Sequence, residues 1–325
     1  MHTQKTSNEA LTICSVFHSL ESKRLLEENA AFTRRMNPGV AIRWIAADNT
    51  DGKVSEKLDL YTFDVVPGAD RYDPVPSWII GSYRHARALH AILSRVHTRF
   101  TLILDSDFYI VRNGWVSEII SHMRNRGLAI FGVPWHPRHF TEFRYFPSHH
   151  TLFIDREKID LRELNFLPAY NMGTKSFTNR LIHKSGKLWL FSKILRRFRI
   201  GKSRDTSYPV YRRLRRQVSW ECPQAVFNPA SDFREYPWIT TSTNRFVERV
   251  LPDAWCFIPK RPGYTVSSGF REAGRGDPRG FGWEEFMWRG HPYGFHVRGT
   301  HKISGDVERG VSNVREILCT FVAVE

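Results

Sequence analysis

Apolar positions in the first hundred residues follow two alternating rhythms. Residues 11–17, 41–47, 63–66 and 100–104 are short apolar runs rich in β-branched and aromatic side chains, the pattern of buried strands. Between them, residues 21–36 place Leu25, Leu26, Ala30, Phe32 and Thr33 on one helical stripe, and residues 82–96 do the same with Ala86, Leu89, Ile92 and Leu93. Asn37-Pro38-Gly39 stops the first helix and Pro67-Gly68 closes the third strand. Strands alternating with helices predict an α/β layer: a mixed, mainly parallel sheet flanked by helices, with ligands collecting beyond the carboxyl ends of the strands. The polar segments at those ends are Phe17-His18-Ser19, Asp48-Asn49 and Asp105-Ser106-Asp107.

Further on, residues 115–126 read as a helix and residues 128–133 and 151–154 as strands, with a loop rich in Pro, His and aromatics across 134–150. After Trp220 the chain turns aromatic, with many Pro and Gly. A strand is expected at 254–258, a Gly-rich flexible loop at 271–282, and a helix start at Gly282-Trp283-Glu284-Glu285-Phe286-Met287. No run is long and apolar enough to span a bilayer, and the polar N-terminus lacks a signal-peptide core. The expectation is a soluble, cytoplasmic protein. Cys14, Cys222, Cys256 and Cys319 show no metal-ligand spacing and read as reduced thiols.

Charge changes this picture in one place. The formal net charge is +15, and between Arg180 and Arg216 thirteen Lys and Arg residues face one acid, Asp205. A basic segment this local implies a local anionic partner. Within it Phe191, Ile194, Leu195 and Phe198 fall at helical spacing, interleaved with Lys193, Arg196 and Arg197. That pattern fits a basic amphipathic helix resting on an anionic membrane surface, which implies peripheral attachment at the inner face of the membrane, and it equally fits an ordinary surface helix with its apolar face in the core. The competing reading is a nucleic-acid grip or a metal nuclease that uses the 180–216 segment on phosphates and the paired aspartates on a metal.

Asp105 and Asp107 carry the candidate chemistry. Alternate residues of an extended chain face one side, so the two carboxylates can converge. Converging carboxylates repel unless a cation lies between them, and hard oxygen ligands suit Mg2+ or Mn2+, which in turn suit a diphosphate. The structural alternative is a strand end whose aspartates cap the next turn. His136, His139, His149 and His150 lie among prolines and aromatics with no partner cysteine pattern, so they read as loop or acceptor-groove residues and not as a zinc site.

In order along the chain, residues 11–19, Ala47-Asp48-Asn49-Thr50-Asp51-Gly52, Gly81-Ser82-Tyr83-Arg84-His85-Ala86, Leu104-Asp105-Ser106-Asp107, Trp283-Glu284-Glu285 and Phe295-His296-Val297-Arg298-Gly299-Thr300-His301 resemble the motifs of an inverting glycosyltransferase of the GT-A fold, close to glycosyltransferase family 2. The turn at Asp48 is shortened and the basic insertion has no counterpart in that pattern. The resemblance implies a Rossmann-like nucleotide-diphospho-sugar transferase. Residues 1–170 would be its nucleotide-sugar half, 171–219 a basic insertion and 220–325 its acceptor half. It implies a nucleotide-sugar donor contacted by Phe17, His18, Asp48, Arg84, His85, Asp105 and Ser106, and a glycan or lipid-linked acceptor. Mn2+ or Mg2+ would be held by Asp107 with Asp105, and by His296 or His301. Glu284 or Glu285 would be the base that takes the acceptor proton, in a reaction suited to surface polysaccharide assembly. From the residues alone, Asp48 can equally form an Asx-turn, and Arg84 and His85 can equally be solvated in a helix's first turn.

Overall fold

The computed structural model describes residues 11–54, 63–69, 80–139, 143–168, 206–234, 237–251, 256, 258, 263–298 and 307–322. Strand β1 (Leu11–Phe17) leads into helix α1 (Leu20–Met36), whose start is fixed by a capping box between Ser19 and Ser22. Strands β2 (Ile42–Asp48) and β3 (Asp64–Pro67), helix α2 (Ile80–Leu93) and strand β4 (Phe100–Leu104) follow. β5 (Phe108–Ile110), α3 (Trp115–Asn125), β6 (Ile130–Gly132) and β7 (Thr151–Asp155) complete the first half.

The order of the seven-stranded sheet is β3-β2-β1-β4-β7-β6-β8, with β8 at Trp220–Glu221. β1 pairs in parallel with β2 and β4, and β2 with β3, so the mainly parallel sheet expected from the alternation is present. It is buried on both faces, as the unbroken apolar runs require. Leu11, Ile13 and Phe17 of β1 join the core under α1 and α3, whereas Cys14 and Val16 join the one under α2. β7 runs antiparallel to β4, with Leu104 opposite Thr151. The start of β7 therefore lies beside the end of β4.

A second sheet has the order β10-β9-β11-β12-β5, with β9 at Gln224–Val226, β10 at Tyr264–Thr265, β11 at Glu284–Trp288 and β12 at His291–His296. β5 follows the aspartates directly, so this sheet starts where the first one delivers its acidic pair. The helix start expected at Gly282–Met287 is wrong: Glu284 and Glu285 lie on β11. β11 is buried along its whole length and shows no alternation, and two adjacent acids imitate a helix's first turn. The local signal that was available is the hairpin. Trp288 pairs with His291 across Arg289-Gly290, whose φ values of 53° and 76° form the two-residue loop that matches strand twist.

The expected loop at 271–282 is entered by the end of one short helical turn, Gly269–Glu272, and contains a second, Pro278–Phe281. The amphipathic helix expected around residues 191–198 and the strand at 254–258 fall wholly or largely outside the described residues. Only the end of the basic segment is described. There the helix Tyr208–Leu214 buries Val210 and Leu214. No helix among the described residues is long and apolar enough to cross a membrane.

Candidate active site

Strand register gathers the site. The Asp105 N–H donates to the His150 carbonyl at 3.0 Å, the last step of the β4–β7 pairing, and this puts the His149-His150 turn against the acidic pair. The Val297 N–H donates to the Asp107 carbonyl at 2.9 Å, continuing the pairing of β12 with β5. His296 therefore arrives beside Asp107. Glu284 is the cross-strand partner of His296 on β11. Residues some 190 positions apart converge because two sheets meet at one short polar segment.

The side chains form a continuous chain of contacts. His296 bridges two carboxylates, with Nε2 3.2 Å from Asp107 Oδ1 and Nδ1 3.1 Å from Glu284 Oε2. The other Glu284 oxygen lies 2.7 Å from His139 Nε2 and 3.3 Å from Arg298 Nε. His150 Nδ1 is 2.6 Å from Asp105 Oδ2, and an Arg298 N–H reaches His150 Nε2 at 3.4 Å. Neutral His150 satisfies both contacts, donating from Nδ1 and accepting at Nε2. The rings of His149 and Trp135 pack on His150, each with a centroid separation of 4.4 Å.

Electrostatics divide these groups. Burial alone pushes Glu284 up, but Arg298, His139 and His296 outweigh it and hold this carboxyl well below the usual glutamate range. Burial likewise opposes ionisation of Asp107, and the charge and hydrogen bond of His296 reverse it, leaving its pKa lowered. His296 is pulled the other way. Burial and Arg298 disfavour its proton, yet Asp107 and Glu284 raise it to about 9, so it is an imidazolium between two carboxylates. Burial keeps His85, His149 and His150 neutral at neutral pH.

Glu284 and Glu285 face opposite sides of β11, as strand geometry demands. Glu285 accepts from the Ser268 hydroxyl at 2.8 Å and from the Phe270 N–H at 3.1 Å, away from the aspartates, and burial raises its pKa. Among the other expected residues, Phe17 is fully buried in the core. His18 is exposed, and its N–H donates to Ser22 Oγ at the start of α1. Asp48 accepts from the Thr50 N–H at 2.7 Å, the Asx-turn of the structural alternative. Arg84 pairs with Asp51 at 2.8 Å and reaches the Asn49 and Ala69 carbonyls, so it ties loops together. His85 places Nε2 3.7 Å from Asp105 Oδ1, and Ser106 is buried beneath the pair. His301 lies outside the described residues.

Sequence reasoning set aside His139, His149 and His150, which the structure brings into contact with the acidic cluster, and it did not single out Trp135. The signal available for two of them was position: Ser148-His149-His150 immediately precedes a buried strand, the place where an antiparallel neighbour of β4 must begin.

The donor set fits a divalent cation. Asp105, His150 and His296 offer ligand atoms within 4.8 Å of one another, as do His85, Asp105 and His149. Burial keeps His85, His149 and His150 in the neutral, ligating form, whereas His296 would bind an ion by giving up the Nε2 proton it shares with Asp107.

No family profile matches the chain and no curated protein matches it. Among solved structures it is similar to the mannosyltransferase PcManGT from Pyrobaculum calidifontis in complex with GDP-Man and Mn2+, at 12% identity over 64% of this chain and 69% of that one, with a TM-score of 0.36. It is also similar to TarS from S. aureus in complex with UDP-GlcNAc, at 13% identity over 38% of this chain and 34% of that one, with a TM-score of 0.27. A third similarity is to the galactosyltransferase LgtC in complex with donor and acceptor sugar analogues, at 14% identity over 47% of this chain and 60% of that one, with a TM-score of 0.28. This chain thus spans about a third of the TarS fragment and less than two thirds of LgtC. Likeness at this level carries no weight for substrate or reaction, which rest on the geometry of the site.

Proposed function

We propose that the chain is a metal-dependent glycosyltransferase, moving a sugar with inversion from a nucleoside-diphosphate donor to a glycan or lipid-linked acceptor. One observation carries this reading. Asp105 and Asp107 leave the carboxyl end of a parallel strand and meet His150, His296 and Glu284 at the junction of the two sheets. Ligands of open α/β sheets bind at that edge.

Asp105, Asp107, His150 and His296 are the residues that would hold the cation. Bound there, it would neutralise the charge of a departing diphosphate. Two imidazoles in the set favour Mn2+ over Mg2+. Arg298, kept charged by Glu284 and the aspartates, adds a fixed positive group beside the same point. Residues 1–170 then supply the donor side and residues 220–325 the acceptor side.

For the acceptor proton, Glu284 faces the cluster and Glu285 does not. Glu284 is a poor base by itself, because its oxygens are already occupied by His139, His296 and Arg298 and its pKa is held low. His139 lies on its outer side and is one-third exposed. A carboxylate behind a histidine orients the ring and stabilises the imidazolium that forms as it takes a proton. His139 therefore receives the hydroxyl proton and Glu284 steadies it. Attachment to an anionic membrane through residues 180–216, and a place in surface polysaccharide assembly, belong to the same proposal and rest on the sequence alone.

The test is a melting-temperature screen against UDP-, GDP-, dTDP- and CMP-sugars with and without Mn2+. One nucleoside diphosphate sugar raises the melting temperature in the presence of Mn2+, and Asp107→Ala abolishes the gain. No shift with any donor, in protein shown to be folded, would sink the reading.

A further inference from the structure

Asp105 belongs to two ligand sets, and the transferase reading uses only the one with His150 and His296. We propose that His85, Asp105 and His149 form a second divalent-cation site, of the kind that takes Zn2+, beside the first and sharing Asp105 with it.

Three elements supply the ligands, and packing fixes each of them. His85 stands on α2, three residues before the buried Ala88-Leu89 pair that docks the helix on the sheet. Asp105 directly follows β4, and His149 lies two residues before the start of β7. His85 Nε2 lies 3.7 Å from Asp105 Oδ1, and His149 Nε2 lies 4.0 Å from Asp105 Oδ2. One ligand atom from each residue lies within 4.8 Å of the others, and ligands about 2.0–2.2 Å from a single Zn2+ stand about 3.3–3.6 Å apart in a tetrahedron, so the set closes on an ion by side-chain shifts of about 1 Å.

Two further observations point to a ligand. His85 Nε2 is buried and has no hydrogen-bond partner among the described residues. A buried polar nitrogen left unpaired is costly, and it points at a carboxylate across a gap too long for a hydrogen bond. His149 is already oriented for binding. Its Nδ1 lies 2.6 Å from Ser207 Oγ, and its own backbone N–H donates to the same hydroxyl at 2.9 Å. With the outer ring nitrogen donating to an oxygen, the inner one presents its lone pair to a metal, which is how outer partners orient ligating histidines. Two imidazoles and one carboxylate, with a position left open, suit Zn2+ better than Mg2+ or Ca2+. The ion ties α2, the end of β4 and the turn before β7 into one rigid wall of the site.

This site is argued from its own geometry and is tested without nucleotide. Full-length protein, stripped by a chelator, is titrated with Zn2+ alone and followed by calorimetry. Wild type binds, His85→Gln and His149→Gln lose about tenfold or more in affinity, and His296→Ala retains the binding. Ser207→Ala deletes a single hydroxyl outside the ligand set and still weakens binding by about tenfold. Circular dichroism and the metal-free melting temperature of each variant show that it is folded. The proposal is overturned if wild type binds no Zn2+, or if His85→Gln and Ser207→Ala bind as wild type does while His296→Ala alone loses the ion. A failed nucleotide-sugar screen leaves this result untouched, and the reverse also holds.

Discussion

Glu284 and Glu285 are adjacent, chemically identical and both fully buried, yet their surroundings drive them apart. Glu284 faces Arg298, His139 and His296 and is held ionised. Glu285 has only a hydroxyl and one backbone N–H, and burial leaves it easier to protonate than an ordinary glutamate. Removing the charge of Glu284 leaves the partly exposed Arg298 guanidinium and the His296 imidazolium with the aspartates alone as counter-charge, so Glu284→Gln should cost about 1–3 kcal/mol in urea unfolding at neutral pH. Glu285→Gln should cost within about 1 kcal/mol. Its signature is in the pH dependence. A carboxyl whose folded pKa is raised keeps a proton that the unfolded chain releases from its ordinary 4.5 upward, so it makes stability fall as pH rises through that window. Glu285→Gln should flatten that slope above pH 4.5, and Glu284→Gln should not. None of this was legible in Trp283-Glu284-Glu285, because the groups that separate the two acids lie more than ten residues away in sequence. Asp105 and Asp107 were legible, since an apolar run ending in Asp-Ser-Asp announces a strand tip wherever it occurs.

The elements that sequence pattern located best are those whose partners repeat its period. α1 and α3 each bury one stripe, and the strand-helix alternation of the first hundred residues became the parallel sheet with its polar edge. The misread element was β11, buried on both faces and therefore without a period. Its hairpin partner β12 carries His296, and the placement of β12 depends on a glycine. A Cβ on Gly294 would collide with the Tyr109 carbonyl and stand 2.9 Å from Phe108 Cε1, so only glycine lets β12 lie this close to β5. Gly294→Ala should therefore destabilise the fold by about 1–3 kcal/mol. It should also weaken Mn2+ binding, because His296 sits two residues further along the displaced strand. Gly290, in the hairpin loop, provides the control. A Cβ there meets open space, and the φ of 76° alone makes Gly290→Ala cost about 1 kcal/mol, with Mn2+ affinity unchanged. Calorimetric titration of both variants separates strand displacement from general loss of stability.

At the scale of the whole molecule, several histidines around the junction of the two sheets are kept uncharged by folding, His296 being the exception, and this makes the fold sensitive to acid. His136 is the clearest case. It is buried between the rings of Phe227 and Phe286, and its Nε2–H donates to the Val226 carbonyl of β9 at 2.9 Å. Burial is the main reason its pKa falls to about 4. Arg138 lowers it further, while Glu284 from β11, the Val226 carbonyl and Asp232 pull the other way without prevailing. The sign follows directly. The unfolded chain takes up this proton near pH 6.5 and the folded one only near 4, so the contribution is complete above 6.5 and is lost as pH falls toward 4. The difference amounts to roughly 3 kcal/mol for this one residue. His85, His149 and His150 are shifted in the same direction, so they steepen the same fall. His136→Gln keeps an N–H donor for Val226 but takes up no proton. Its melting temperature should fall less than that of wild type between pH 7 and pH 4.5, by an amount equivalent to about 2–3 kcal/mol, with the two proteins closest above pH 7. Equal slopes for the two proteins would mean that the β9–β11 junction does not carry this charge-sensitive contact, and that the acid response comes from His85, His149 and His150 alone.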